Sequence, residues 1–223
     1  MSALRIGIAG LGTVGASTVQ LLEQHAEIIE KRVGRAIQVT AVSARSKTID
    51  RGFALDAYRW FDDPVEMTAD PDIDVIVELI GGSDGIAKAL VEKSLANGKH
   101  IVTANKALIA HHGAELANIA ETSGVGFYGE AAVAGGIPIL KAIREGLAGN
   151  AINRVYGILN GTCNYILSEM RDTGRTFGDV LEEAQKLGYA ESDPTFDVDG
   201  IDAAHKLAIL AGLCFGTKVD FEN

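Results

Sequence analysis

The chain has 223 residues, 47% of them hydrophobic and 22% charged, with a formal net charge of -10. That balance describes an ordinary globular protein of one large domain or a domain and a half. The negative charge, with no basic cluster to offset it, argues against a nucleic-acid partner, and no apolar stretch approaches the ~20 residues of a membrane-spanning helix.

Leu4 to Ala9 is a short apolar run of the kind that forms a buried strand. Gly10-Leu11-Gly12-Thr13-Val14-Gly15 comes directly after it, and then a long helical pattern through Val19, Leu22 and Ile29. Strand, G-x-G-x-x-G, helix is the context in which that fingerprint binds a dinucleotide. Gly10 permits the tight turn, Gly12 lets backbone approach a pyrophosphate, and Gly15 lets the helix pack closely on the strand. The helix N-terminus then offers N–H groups to the phosphates.

Ile37 to Ser43 reads as a second strand. An NAD-preferring site usually carries an acid at its end, for the ribose 2′-hydroxyl. This chain has Ser43-Ala44-Arg45-Ser46-Lys47 instead, which suits a 2′-phosphate. NADP is therefore favoured over NAD, with Arg45 as the contact; Arg45 and Lys47 also read as solvated loop charges. The stretch from Asp62 to Asp74 is a connection. Asp74 to Ile80 is a nearly continuous apolar strand of the type that parallel sheets bury on both faces. Ile86 to Ala96 is a helix closed by Asn97-Gly98, and His100 to Thr103 another strand. Lys106 stands beyond its carboxyl end, where open α/β sheets bind ligands, although a surface lysine would look the same. Gly113 to Ser123 is a helix and Val125 to Tyr128 a strand. Glu130 to Pro138 is small, glycine-rich and apolar around one acid. That acid either caps the next helix, Ile139 to Leu147, or joins carbonyl oxygens around a cation.

From Ala151 the rhythm changes. Ile152 to Leu159 is strand-like, and Asn164 to Arg171 and Asp179 to Leu187 are helices. Gly188 ends the last of these. An acidic loop comes next, carrying Glu191, Asp193, Pro194, Asp197 and Asp199, and then a helix from Ile201 to Phe215. Asp202 and Lys206 lie four apart on one face of that helix. Taken alone they read as a surface ion pair; the acidic loop in front and the fingerprint at the other end shift the reading toward chemistry. Cys163 and Cys214 have no metal-ligand spacing and read as buried free thiols of a reducing, cytoplasmic compartment.

The segments GLGTVG, TANK (Thr103 to Lys106), EAAVAGGIPI, LNGTCNYIL and AQKLGYAESDPTFDVDGIDAAHK (Ala184 to Lys206) together resemble homoserine dehydrogenases along the whole chain. The resemblance implies an NAD(P)-dependent oxidoreductase that interconverts L-homoserine and L-aspartate 4-semialdehyde, on the way to threonine and methionine. It implies an α/β fold, with a Rossmann-type parallel sheet over residues 1–135 and an α+β substrate and dimerisation domain over 136–223. Lys206 would be the general acid/base, with Lys106 near the nicotinamide. Glu191 and Asp202 would bind the amino end of the substrate or orient the lysines, supported by Asp197 and Asp193. Thr13, Val14, Arg45 and Gly188 would border the cofactor. Glu130 with the carbonyls of Val133, Gly135 and Ile137 would hold a sodium ion. The family is usually a homodimer through the second domain, to which Ile152 to Leu159 could contribute. Its chains continue past the position of Asn223, so the second domain is expected to be incomplete, without a threonine-sensing regulatory domain. Two other readings remain: a dehydrogenase for another amino acid or semialdehyde, and a non-catalytic fragment that binds cofactor.

Overall fold

The computed structural model describes residues 2–218 and Phe221. The chain divides into two compact units, Met1–Gly136 and Ile137–Asn223.

The first unit is a parallel sheet wrapped by helices. Its elements run β1 (Leu4–Ala9), α1 (Thr13–Gln24), α2 (Ala26–Val33), β2 (Ile37–Ser43), β3 (Arg59–Phe61), β4 (Val75–Glu78), α3 (Ile86–Ala96), β5 (His100–Thr103), α4 (Lys106–Ser123) and β6 (Phe127–Tyr128). The strand order is β3-β2-β1-β4-β5-β6 and every pairing is parallel. This is the doubly wound Rossmann order, with its reversal between β1 and β4. Alternation along the strands divides the core. Ile76 joins Met67, Leu90, Ile101 and Leu116 on one face, whereas Val75 and Val77 join Ile8, Val19 and Val42 on the other. β4 is buried at all four of its residues, as the apolar run Val75–Val77 requires, with Glu78 buried at its end.

Three details of this unit differ from the sequence reading. The helical pattern after the glycines is two helices, because His25 at φ −110° and ψ 16° ends α1 and begins α2. No glycine or proline marks that break, so the periodicity runs straight across it. β3 escapes the sequence pattern because only Arg59–Phe61 pair with β2. α4 starts at Lys106 rather than Gly113. Asn105 caps it, its side-chain oxygen accepting from the backbone N–H of Leu108 at 3.1 Å.

The second unit is helical. Its helices are α5 (Ile139–Lys141, continued by a π turn over Ala142–Gly146), α6 (Gly161–Thr173), α7 (Phe177–Lys186), α8 (Thr195–Val198) and α9 (Ile201–Phe215). A small cluster of Ile166, Val180, Ala184 and Ala190 packs α6 against α7. The expected strand over Ile152 to Leu159 is not formed: residues 151–160 carry no regular structure, and Tyr156 and Ile158 are 87% and 76% exposed. A strand needs a neighbour to take its backbone bonds, and this unit has no other strand among its described residues. Cys163 and Cys214 are free and only partly buried, and burial raises the pKa of both thiols. Among the described residues no helix is long and apolar enough to cross a membrane.

Candidate functional site

In the first unit the candidate site is built from backbone. Gly10 has a φ of +100°, and a Cβ there would stand 2.4 Å from the carbonyl oxygen of Leu79. A Cβ on Gly15 would stand 1.8 Å from the carbonyl oxygen of Gly10, so only glycine lets α1 start this close to β1. Gly12 differs: nothing lies within 4 Å of where its Cβ would be. The fingerprint thus leaves open space at its second glycine, where a pyrophosphate would need it. No side chain caps α1 and no acid lies in its first turn, so the N–H groups at Thr13 and Val14 would meet an anion without competition. These features fit a dinucleotide.

The loop after β2 is folded on itself. Arg51 donates through Nε to the carbonyl of Leu11 at 3.0 Å, and through Nη2 to that of Ser46 at 2.6 Å. This ties the loop to the glycine turn. Arg45 is exposed on that loop. Lys106, half-buried, is the first residue of α4 at the carboxyl end of β5.

In the second unit the candidate site is built from side chains. Asp202 is buried in the first turn of α9, and Lys206 stands one turn on. Lys206 Nζ donates to Asp202 Oδ2 at 2.6 Å and to the carbonyl of Leu159 at 2.8 Å. Asn160 completes the cluster. Its Oδ1 accepts from the backbone N–H of Cys163 at 2.7 Å and so caps α6. Its Nδ2 donates to Asp197 Oδ1 at 2.7 Å and to Asp202 Oδ2 at 2.9 Å. One amide therefore holds two carboxylates, and one of those holds the lysine. Asn160, Tyr165, Tyr189, Asp197, Asp202 and Lys206 line a cavity of about 570 Å³. The surface ion-pair reading of Asp202 and Lys206 does not hold: the acid is 7% and the lysine 22% exposed in their side chains.

The other expected residues fall outside that cavity wall. Glu191 is exposed. Asp193 turns back on its own loop and accepts from the hydroxyl and backbone N–H of Thr195 at 2.6 and 3.2 Å; those bonds hold its carboxyl below the usual range. Gly188, at φ +77°, stops α7, the role its backbone requires of it. Glu130 opens a 3₁₀ turn and Val133 is buried behind it, with Gly135 exposed; Ile137 belongs to the second unit. Among the described residues no group of three His, Cys, Asp or Glu side chains is placed to hold a metal ion.

Residues 10–130 match the family described as homoserine dehydrogenase, NAD binding domain, and residues 138–223 match that described as homoserine dehydrogenase. The chain belongs to the homoserine dehydrogenase family. The homoserine dehydrogenase of Pseudomonas aeruginosa is 56% identical over 225 residues, covering 100% of this chain and 51% of that protein. The crystal structure of a homoserine dehydrogenase from Thiobacillus denitrificans matches with a TM-score of 0.91 and 52% identity, covering 100% of this chain and 51% of that one. A hyperthermophilic archaeal homoserine dehydrogenase in complex with NADPH matches with a TM-score of 0.85 and 29% identity, over 97% of this chain and 71% of that one. The chain thus spans about half the length of the curated relatives it matches.

Sequence reasoning missed two residues of this homoserine dehydrogenase fold. Asn160 caps α6 and bridges acids 37 and 42 residues away, and the sequence marks neither role. Glu78 is fully buried at the end of β4. Its signal was an acid in the otherwise apolar run DVIVELI, which a buried strand tolerates only with donors waiting for it.

Proposed function

We propose that this chain is the cofactor- and substrate-binding part of an NAD(P)-dependent oxidoreductase that interconverts L-homoserine and L-aspartate 4-semialdehyde. The observation that carries the reading is the Asn160–Asp197–Asp202–Lys206 cluster lining a cavity, in a chain of this family whose other unit is a Rossmann fold with an uncapped helix at its glycine turn.

The nicotinamide, when bound, supplies the hydride in reduction and takes it in oxidation. The chain's own task is the proton and the orientation. Lys206 uses two of its three N–H groups on Asp202 and Leu159, which leaves one for the substrate oxygen. In reduction that N–H is given to the oxygen as charge develops on it; in oxidation Lys206 takes the hydroxyl proton. Asp202 and Asn160 keep the lysine head in place. Glu191 from the acidic loop and Asp202, supported by Asp197, suit the substrate's amino group.

NADP is the preferred cofactor. The support is the absence of an acid directly after β2, the presence of Arg45 there, and the NADPH bound to the archaeal relative. A sodium ion belongs to the same reading: Glu130 with the carbonyls of Val133 and Gly135 would offer one charge and neutral oxygens, which suit it better than a divalent metal. Two copies pair through the second unit. The exposed apolar side chains at Tyr156 and Ile158, on a backbone without ladder partners, support this. The protein works in the cytoplasm, where NADP and free thiols belong together.

Purified chain is mixed with L-homoserine and either NADP or NAD, and reduced nicotinamide is monitored. Turnover faster with NADP is expected. A folded chain that binds NADPH yet turns over a different amino alcohol, and not homoserine, overturns the substrate assignment.

A further inference from the structure

Glu78 is the last residue of β4, which pairs with β1 at the centre of the sheet, and none of it reaches solvent. A buried carboxylate is costly unless donors converge on it. Here three do. Oε1 accepts from the backbone N–H of Ile80 at 2.8 Å and of Gly81 at 3.0 Å. Oε2 accepts from the hydroxyl of Thr103 at 2.6 Å. The Thr103 oxygen in turn accepts from the backbone N–H of Asn105 at 2.9 Å. Asn105 closes the ring by donating from Nδ2 to the carbonyl of Gly82 at 2.7 Å, while its other side-chain atom caps α4.

The ring ties the carboxyl end of β4 to that of β5. After β4 comes the turn 79–82, where Gly81 and Gly82 both have a φ of +86°. With no Cβ at either residue, bonds from elsewhere must hold that shape. After β5 comes the first turn of α4, which carries Lys106. The turn 79–82 also lies against the fingerprint: the Leu79 N–H donates to the carbonyl of Ala9 at 2.7 Å, and it is the Leu79 carbonyl that a Cβ on Gly10 would strike. It is therefore the wall of the crevice on the β4 side of the reversal. In this sheet order the adenosine half of a dinucleotide lies over β1 and β2 and the nicotinamide half over β4 and β5.

We infer that Glu78 is a positioning residue for the nicotinamide half of the cofactor: its carboxylate holds the turn 79–82 and, through Thr103 and Asn105, the start of α4 in the shape that half occupies. The inference rests on the dinucleotide reading above. Both oxygens must accept, which a carboxylate does and an amide of the same size does not.

The test titrates the full 223-residue chain with NADPH and with 2′,5′-ADP, which carries the adenosine half alone. Wild type, Glu78→Gln, Thr103→Val and Thr103→Ser are compared, each checked by circular dichroism. Losing an acceptor or a hydroxyl from the ring is expected to weaken NADPH by about tenfold in Glu78→Gln and Thr103→Val. Affinity for 2′,5′-ADP stays within about twofold, and Thr103→Ser, which keeps the hydroxyl, restores NADPH binding. If Glu78→Gln does not fold, the Thr103 pair decides. Equal NADPH affinity in folded Glu78→Gln and wild type, or in Thr103→Val and Thr103→Ser, overturns the inference. So does a parallel loss of both ligands, which marks a general structural role. Wild type that binds neither ligand overturns the dinucleotide reading itself, a different result from variants that bind as wild type does.

Discussion

In the first unit a six-stranded sheet buries Ile8, Ile76 and Ile101 completely and offers a ligand backbone N–H groups after Gly12. In the second, a cluster of four buried residues around Ile166 supports a site made of Asn160, Asp197, Asp202 and Lys206 side chains. The two designs fail in different ways. A backbone site depends on what is missing, since any Cβ at Gly10 or Gly15 would collide with the backbone that shapes it. A side-chain site depends on a chain of bonds, since removing one partner leaves another buried and unpaired. The units also differ in cover. The sheet is wrapped on both faces, whereas the second unit leaves Tyr156, Ile158, Leu167 and Phe215 exposed around a small core.

That division predicts a double dissociation. The largest effect belongs to Lys206→Ala: loss of the proposed proton donor is expected to lower turnover of homoserine by about 10³-fold while NADPH affinity stays near that of wild type. A parallel fall in NADPH affinity would break the division between the units. Gly15→Ala should do the reverse. The Cβ set 1.8 Å from the Gly10 carbonyl costs about 3 kcal/mol of stability in urea unfolding and removes NADPH binding, with the helices of the second unit retained in amide exchange. Loss of protection throughout the chain would show that the units do not fold separately.

Asn160→Ala comes next. It removes a helix cap and the bridge between Asp197 and Asp202, and should destabilise the second unit by about 2 kcal/mol. Asn160→Asp keeps the cap but adds a third acid, so it should recover stability more than turnover. Arg45→Ala should raise the KM for NADP by about tenfold and leave that for NAD within about twofold. An equal rise for both cofactors would remove Arg45 from the 2′-phosphate.

The smallest effect concerns acid stability. Side-chain hydrogen bonds from Arg5 hold Asp74 below the usual carboxylate range. A depressed folded pKa gives stability that is present above the unfolded value and lost as pH falls through the folded one. Urea midpoints below about pH 4 should therefore fall less steeply in Asp74→Asn than in wild type. The change is small because the pair is partly solvated. Identical slopes would show that the Arg5 contact contributes nothing.

The parts legible in the sequence were those with local causes. β1, the glycine turn, β2, α3, β5 and α9 each carry a period or a stop signal within a few residues, and the structure keeps them at the expected ends. The parts that were not legible depend on distant partners. β3 is a strand only because Ala41 to Ser43 run beside it. Residues 152–159 have the composition of a strand and, among the described residues of their unit, no strand to pair with. α4 hid its start because Ala104-Asn105-Lys106 reads as the loop beyond β5, until Asn105 is seen to cap the helix. At the site, Asp202 and Lys206 were found from their spacing, but their burial and the role of Asn160 come from a loop 42 residues away in sequence.

The most direct test of the proposed chemistry tracks the hydride itself. The chain is incubated with NADP and L-homoserine deuterated at the carbinol carbon, and the nicotinamide is examined by mass spectrometry. Deuterium on the reduced nicotinamide with wild type, formed about 10³-fold more slowly with Lys206→Ala at matched NADP occupancy, is the predicted result. A folded wild-type chain that binds NADP and L-homoserine but transfers no deuterium would contradict the account.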